Sequence, residues 1–176
     1  MTHRPAAPET RTVRLRTTSA AGTRALGAAL AVAARPGDRI ALLGPLGAGK
    51  TQLAKGFGAG LGVTDEITSP SFTLMAEHRG RLPLFHVDLY RLAGTADAVA
   101  GGMLDDREDE GVTLTEWADR LDPALDPDRL VIAIASATDA GEDGRTITIA
   151  PQGDDGGRYD GYLAVARAFA AAGIAP

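Results

Sequence analysis

Val13-Arg14-Leu15-Arg16-Thr17 alternates apolar and polar residues, which predicts a short strand at or near a sheet edge. Ser19 is placed to cap the next segment, where Leu26, Ala29, Leu30 and Ala33 recur at helical spacing over 20–34. Arg35-Pro36-Gly37-Asp38 ends that helix in a turn. Ile40-Ala41-Leu42-Leu43 is a continuous apolar run, the pattern of a buried strand, and a second helix is predicted over about 50–61. Two strand-like runs, 72–78 and 81–87, flank Arg79-Gly80 and predict a β-hairpin over 72–87. Further strands are predicted at 112–115, 130–134 and 145–149, with an acidic turn at 139–144. An Ala-rich helix at about 159–172 carries Tyr162, Val165, Ala166 and Phe169 on one face. The acidic stretch 95–110 reads as helical or irregular. Strands alternating with helices, plus one hairpin, predict an α/β fold with a mixed, mostly parallel central sheet. No repeat or linker divides the chain: 1–12 reads as a flexible tail and 13–176 as a single domain.

Composition narrows the function. With 44% apolar and 23% charged residues the chain is globular in type, and its 176 residues suffice for a sizeable core. The net charge of −5 offers no broad basic surface for nucleic acid, so any contact with RNA is expected to be indirect. The absence of cysteine excludes disulfides and thiol chemistry. His3, His78 and His86 lack metal-ligand spacing. The first sixteen residues have no apolar core of a secretory leader, and no apolar run is long enough to span a membrane. A cytoplasmic location is expected.

Between the buried run and the second helix stands Gly44-Pro45-Leu46-Gly47-Ala48-Gly49-Lys50-Thr51, which fits G-x-x-x-x-G-K-[ST] in the context of strand, loop and helix. Glycines allow a tight loop whose N–H groups point inward, and the new helix offers its positive end to the same anion. In this motif Lys50 reaches the β and γ phosphates and the Thr51 hydroxyl ligates Mg2+. Lysine occurs only at 50 and 55, which makes Lys50 more notable.

Hydrolysis requires more than a phosphate loop. Asp88 and Glu116 both fall at strand ends, where a carboxylate can hold Mg2+ directly or through water, or orient the attacking water. Spacing does not divide these roles between them, and either residue also fits an ordinary solvated strand terminus. Thr68-Ser69-Pro70-Ser71-Phe72-Thr73 supplies hydroxyls that could sense a γ-phosphate, or form a simple Ser/Pro turn. Arg91 is a candidate for stabilising phosphoryl charge or a surface arginine. Trp117, the only tryptophan, fits a pocket wall, a partner surface or the core. His86 is read as packing or hydrogen-bonding within its strand.

Four pieces in order carry a family resemblance: Leu46-Gly47-Ala48-Gly49-Lys50-Thr51, Ser69-Pro70-Ser71-Phe72-Thr73-Leu74, His86-Val87-Asp88-Leu89-Tyr90-Arg91-Leu92 and Glu116-Trp117. Over about 13–149 the chain resembles the TsaE (YjeE) family. The resemblance implies a three-layer α/β P-loop NTPase fold and an Mg2+-dependent ATPase. It also implies action with TsaB and TsaD, whose complex forms N6-threonylcarbamoyladenosine (t6A37) in tRNA. By resemblance, Thr51 and Glu116 are associated with Mg2+, Asp88 is the Walker-B-like acid, and 69–74 behaves as a switch. Base contacts are implied near Ser19–Thr23 and at Gly144-Arg145. The implied site set is Gly44, Gly47, Ala48, Gly49, Lys50, Thr51, Gln52, Ser69, Thr73 and Gly144 for ATP or ADP. Lys50, Asp88 and Glu116 are the implied catalytic residues, with Thr51, Glu116 and Asp88 at the metal. Pro45, Ser71 and Ala118 depart from the family's usual Asp, Thr and Pro, and 101–111 matches only loosely. The alternatives are a small-molecule phosphotransferase and a nucleotide-gated binding module that does not hydrolyse.

Overall fold

The structure is a computed structural model that describes residues 11–92, 109–137 and 141–173. Among the described residues seven strands form one sheet: β1 (Val13–Thr17), β2 (Asp38–Leu43), β3 (Met75–His78), β4 (Leu84–Asp88), β5 (Val112–Glu116), β6 (Arg129–Ser136) and β7 (Arg145–Gln152), in the order β1-β7-β6-β2-β5-β4-β3. The centre, β6-β2-β5-β4, is parallel, and β1, β7 and β3 pair antiparallel at the two sides. The sheet is therefore mixed and mostly parallel in its centre, with β1 at an edge. Among the described residues the α-helices are α1 (Ala20–Leu30), α2 (Lys50–Gly60) and α3 (Asp160–Ala171). None of the described helices is long and apolar enough to cross a membrane.

Register explains how the sheet serves the loop. Leu42 pairs with Glu116 and Glu116 with Asp88, two residues beyond the row Ile40–Leu114–His86. Paired residues share a face and alternate residues return to it. Leu42, Leu114 and Leu84 lie in the large core with Leu53, Phe57, Leu26 and Tyr162 of the helices. Hence His86, Asp88 and Glu116 belong to the face that carries α2, at the end of the parallel strands where ligands gather in open α/β sheets. Val87, one residue out of phase, joins Leu89, Leu92 and Leu121 in a small separate cluster.

Ser19 caps α1 by accepting a hydrogen bond from the Gly22 amide at 2.9 Å. The helix expected over 20–34 ends at Leu30 and tightens into a 3-10 turn over Ala31–Ala33. α1 lies directly on α2: a Cβ on Gly27 would collide with the Leu53 carbonyl, and one on Gly56 with the Arg24 carbonyl. α3 is anchored below the sheet by buried Asp38, which accepts from the Tyr162 hydroxyl at 2.7 Å and Arg158 Nε at 2.8 Å. Burial raises the Tyr159 phenol to about 12, and burial beside Asp38 raises Tyr162 as well.

Both strands of the hairpin start later than expected. The first hairpin strand starts at Met75, not Phe72, because the Thr73 and Leu74 amides turn back to the Pro70 carbonyl at 3.1 and 2.7 Å. The second starts at Leu84, because the Arg81 amide is spent on the Leu61 carbonyl at 2.7 Å and Pro83 has no N–H. Arg11, the first described residue, pairs with Asp155 at 2.6 Å and Asp160 at 2.8 Å. Positions 1–10, most of the acidic stretch 95–110 and part of the turn 139–144 lie outside the described residues.

Candidate active site

β2 delivers the chain into 44–49, and α2 starts at Lys50. Gly44 and Gly49 have φ of +144° and +107°, a backbone that L side chains rarely adopt. At Gly44 there is also no room, since a Cβ would meet the Ile134 carbonyl. Pro45 is accommodated at a position where the loop needs its carbonyl: that oxygen accepts from the Ala48 amide at 3.1 Å and from Lys50 Nζ at 2.9 Å. Lys50 Nζ also donates to the Gly44 carbonyl at 2.6 Å and lies 3.8 Å from the Trp117 ring centre. Burial lowers the Lys50 pKa, while Glu116, Asp88 and Asp119 oppose that shift.

The loop opens on a cleft of about 440 Å3, lined by residues 46–52 together with Ser69, Ser71, Phe72, Asp88, Tyr90, Arg91, Glu116 and Trp117. Thr51 Oγ1 donates to the Glu116 carboxylate, 3.1 Å from each oxygen. Glu116 Oε1 is 2.8 Å from His86 Nε2. Asp88 Oδ2 accepts from the hydroxyls of Ser69 and Ser71, the latter at 2.9 Å, and its Oδ1 accepts from the Tyr90 amide at 2.8 Å. Both carboxylates are buried. Trp117 has φ of +59°, a strained backbone directly after Glu116, and its amide continues the ladder to the Leu42 carbonyl at 3.1 Å.

The site thus gathers Lys50, Thr51, Gln52, Ser69, Asp88 and Glu116 around one cleft with Gly47, Ala48 and Gly49. Gln52 accepts from Arg24 Nη1 at 2.5 Å. Gly44 contributes its carbonyl behind the loop. Thr73 and Gly144 stand outside. Thr73 is exposed on the turn that follows Pro70, and the Gly144 carbonyl is taken by the Ala137 amide at 2.9 Å and by Arg145. Arg145 instead braces the loop from β7, donating from Nε to the Ala48 carbonyl at 2.9 Å. At the start of α1, Thr23 is buried, with its hydroxyl 2.8 Å from that of Thr17, and its methyl lies 3.8 Å from where a Gly49 Cβ would be. Leu46 and Phe72 are exposed at the rim, and Arg91 covers the Phe72 ring at 4.2 Å. Sequence reasoning left Trp117 and Arg91 open and assigned no role at the site to His86; the chain-order motif around Asp88 contained two of them.

The oxygen donors fit a hard divalent cation: a hydroxyl, Thr51, touching a carboxylate, Glu116, with Asp88 paired beside it in the sheet. Among the described residues no group of three or more His, Asp or Glu could hold a metal alone. A cation here would complete its shell with phosphate and water, as Mg2+ does beside nucleotides.

Comparison with known proteins gives a consistent pattern. The family model of threonylcarbamoyl adenosine biosynthesis protein TsaE matches residues 17–147. The tRNA threonylcarbamoyladenosine biosynthesis protein TsaE of Bacillus subtilis is 40% identical over 146 residues, 82% of this chain and 87% of that protein. The Streptomyces coelicolor protein of the same name is 39% identical over 135 residues, 74% of this chain and 91% of its own. The crystal structure of Bacillus YdiB superposes with a TM-score of 0.65 at 33% identity, covering 95% of this chain and 99% of that one.

Proposed function

This chain belongs to the TsaE family of threonylcarbamoyladenosine biosynthesis proteins, and on that premise we propose that it is an Mg2+-dependent ATPase acting with the TsaB–TsaD pair. ATP is hydrolysed to ADP and phosphate, and the energy serves the cycle of the complex that modifies tRNA. The observation that carries this reading is the meeting of Thr51 and Glu116, 3.1 Å apart, at the mouth of a glycine-rich loop that also presents Lys50.

The loop amides and the N-terminus of α2 bind phosphate oxygens. Lys50 exchanges two backbone carbonyls for phosphate, a stronger charge-assisted partner. Thr51 and Glu116 would hold Mg2+, which would supply charge neutralisation at the phosphate oxygens. Water attacks the γ-phosphorus, the bond to the bridging oxygen breaks, and ADP leaves. Asp88 ties Ser69 and Ser71 to this centre, so the loop that bears them is joined to the phosphate end of the cleft. The acidic chain is suited to a protein partner that itself handles the tRNA.

The test is ATP hydrolysis by the purified protein with Mg2+, alone and with TsaB–TsaD, using Lys50→Ala as the blank. A Lys50-dependent rate that changes with the pair supports the reading. A Lys50-dependent rate indifferent to the pair would leave only the hydrolase. Bound ATP with no turnover in either mixture would overturn it in favour of a nucleotide-gated module.

A further inference from the structure

His86 is fully buried on β4, on the sheet face that carries the site. It pairs across the ladder with Leu114, so Glu116 is its diagonal neighbour, two residues further along β5. Diagonal neighbours on a sheet face are within reach of long side chains. Here the imidazole Nε2 meets Glu116 Oε1 at 2.8 Å. Its other nitrogen, Nδ1, is buried with no hydrogen-bond partner among the described residues.

That asymmetry is informative. A carboxylate oxygen accepts, so Nε2 must carry the proton. A proton on Nδ1 would be a buried donor with nowhere to go. The surroundings therefore fix one tautomer. They also make the imidazole a poor packing choice, since a leucine at this position would fill space without orphaning a nitrogen. Glu116 Oε1 is meanwhile shared between Thr51 and His86, which holds the carboxylate plane so that both oxygens stay 3.1 Å from the Thr51 hydroxyl.

We propose that His86 is the positioning residue of Glu116: through a single Nε2–H donation from the core it fixes the carboxylate against Thr51. This rests on the reading of Thr51 and Glu116 as the metal-binding pair. Partners that orient a ligand in this way carry part of the site's affinity, and their loss costs about 10–100-fold in metal binding.

The experiment reads nucleotide binding from Trp117, the only tryptophan and a wall of the cleft. ATP is titrated in EDTA, and Mg2+ is then titrated at fixed ATP. His86→Leu keeps the bulk and removes the donor. His86→Gln places an amide N–H2 near the Nε2 position, and the shorter His86→Asn does not reach. The expected result is unchanged ATP affinity in EDTA for all three. Half-saturating Mg2+ is expected to rise about tenfold or more in the Leu and Asn variants and to return to within about threefold of native in the Gln variant. Equal Mg2+ midpoints in native and Leu protein would overturn the proposal, as would Gln and Asn variants shifted alike. If the Leu variant does not fold, the Gln and Asn pair decides. Failure of all three to fold would make His86 a packing residue and overturn it too. Glu116→Gln separates the two readings: a midpoint it does not move removes the metal-binding pair itself, whereas a midpoint moved by Glu116→Gln but not by His86→Leu removes only the positioning role.

Discussion

Lys50 Nζ stands 3.8 Å from the centre of the Trp117 ring while donating to the Gly44 and Pro45 carbonyls. The ammonium is held by a ring face and by its own loop. A triphosphate entering the cleft offers a better partner, and the cation leaves the indole. Trp117 emission should therefore change on addition of ATP. Lys50→Ala should lose affinity by about 10–100-fold, the worth of a charged hydrogen bond set, and lose the emission change with it. An emission change of native size and midpoint in Lys50→Ala would separate Trp117 from the phosphate site.

Asp88 is expected to act on turnover more than on binding. Its Oδ2 holds both Ser69 and Ser71, and its amide donates to the Leu74 carbonyl at 2.9 Å, so one residue secures both sides of the 69–74 turn. Asp88→Ala should lower ATP hydrolysis by about a hundredfold or more, within the range of a positioned carboxylate, with a much smaller change in ATP affinity. Ser71→Ala removes one of two hydroxyls and should cost less. Hydrogen exchange at 69–74 should speed up in Asp88→Ala. A binding loss as large as the rate loss would place Asp88 in nucleotide affinity instead.

The glycine-rich loop between β2 and α2 and the strand-end places of Asp88 and Glu116 were legible because their signals are local: a fixed motif, an apolar run before it, and carboxylates closing apolar strands. The hairpin was legible for the same reason, with its start misplaced by the turn on Pro70. What could not be read depends on strand order. β7 inserts between β1 and β6, which brings Arg145 onto the Ala48 carbonyl from 97 positions away. The contact between His86 and Glu116 exists only because β4 and β5 run parallel in one particular register. Both strands are buried along their whole length, so no in-and-out alternation marks that register.

Stability should fall as pH drops below neutrality. Burial lowers the His78 pKa below its ordinary 6.5, aided by His86 and opposed by Asp65. The unfolded chain then takes the proton first, so stability is lost as pH falls from about 6.5 toward the folded value. Asp155 acts in the opposite charge sense and lower down. Its hydrogen bonds to Arg11 hold its pKa at about 2 against an ordinary 3.8, so its contribution is present above 3.8 and lost as pH falls toward 2. His78→Gln should flatten the decline in Tm between roughly pH 7 and 5, and Arg11→Ala only the decline below about pH 4. Parallel Tm curves for native and His78→Gln protein across the upper window would contradict the assignment.

α2, which starts at the end of the glycine-rich loop, meets α1 backbone to backbone, and that contact makes a sharp stability test. A Cβ on Gly56 would fall on the Arg24 carbonyl, and backbone on both sides leaves no side chain free to yield. Helix propensity alone favours alanine over glycine by about 1 kcal/mol, so a naive reading expects Gly56→Ala to stabilise α2. Steric conflict should win: overpacking of a tight contact costs about 1–3 kcal/mol, more where backbone must move, and for a chain of this size that is a Tm loss of roughly 2–12 °C. Gly161 in α3 is the control. Its nearest neighbour to an added Cβ is Ala33 Cβ at 3.5 Å, an ordinary contact, so Gly161→Ala should leave Tm unchanged or raise it slightly. Because α2 begins at Lys50, a shifted α2 in Gly56→Ala should also weaken ATP binding, whereas Gly161→Ala should not. Thermal melts and ATP titrations of the two variants decide the matter: equal behaviour would mean that α1 can move off α2 without disturbing the loop.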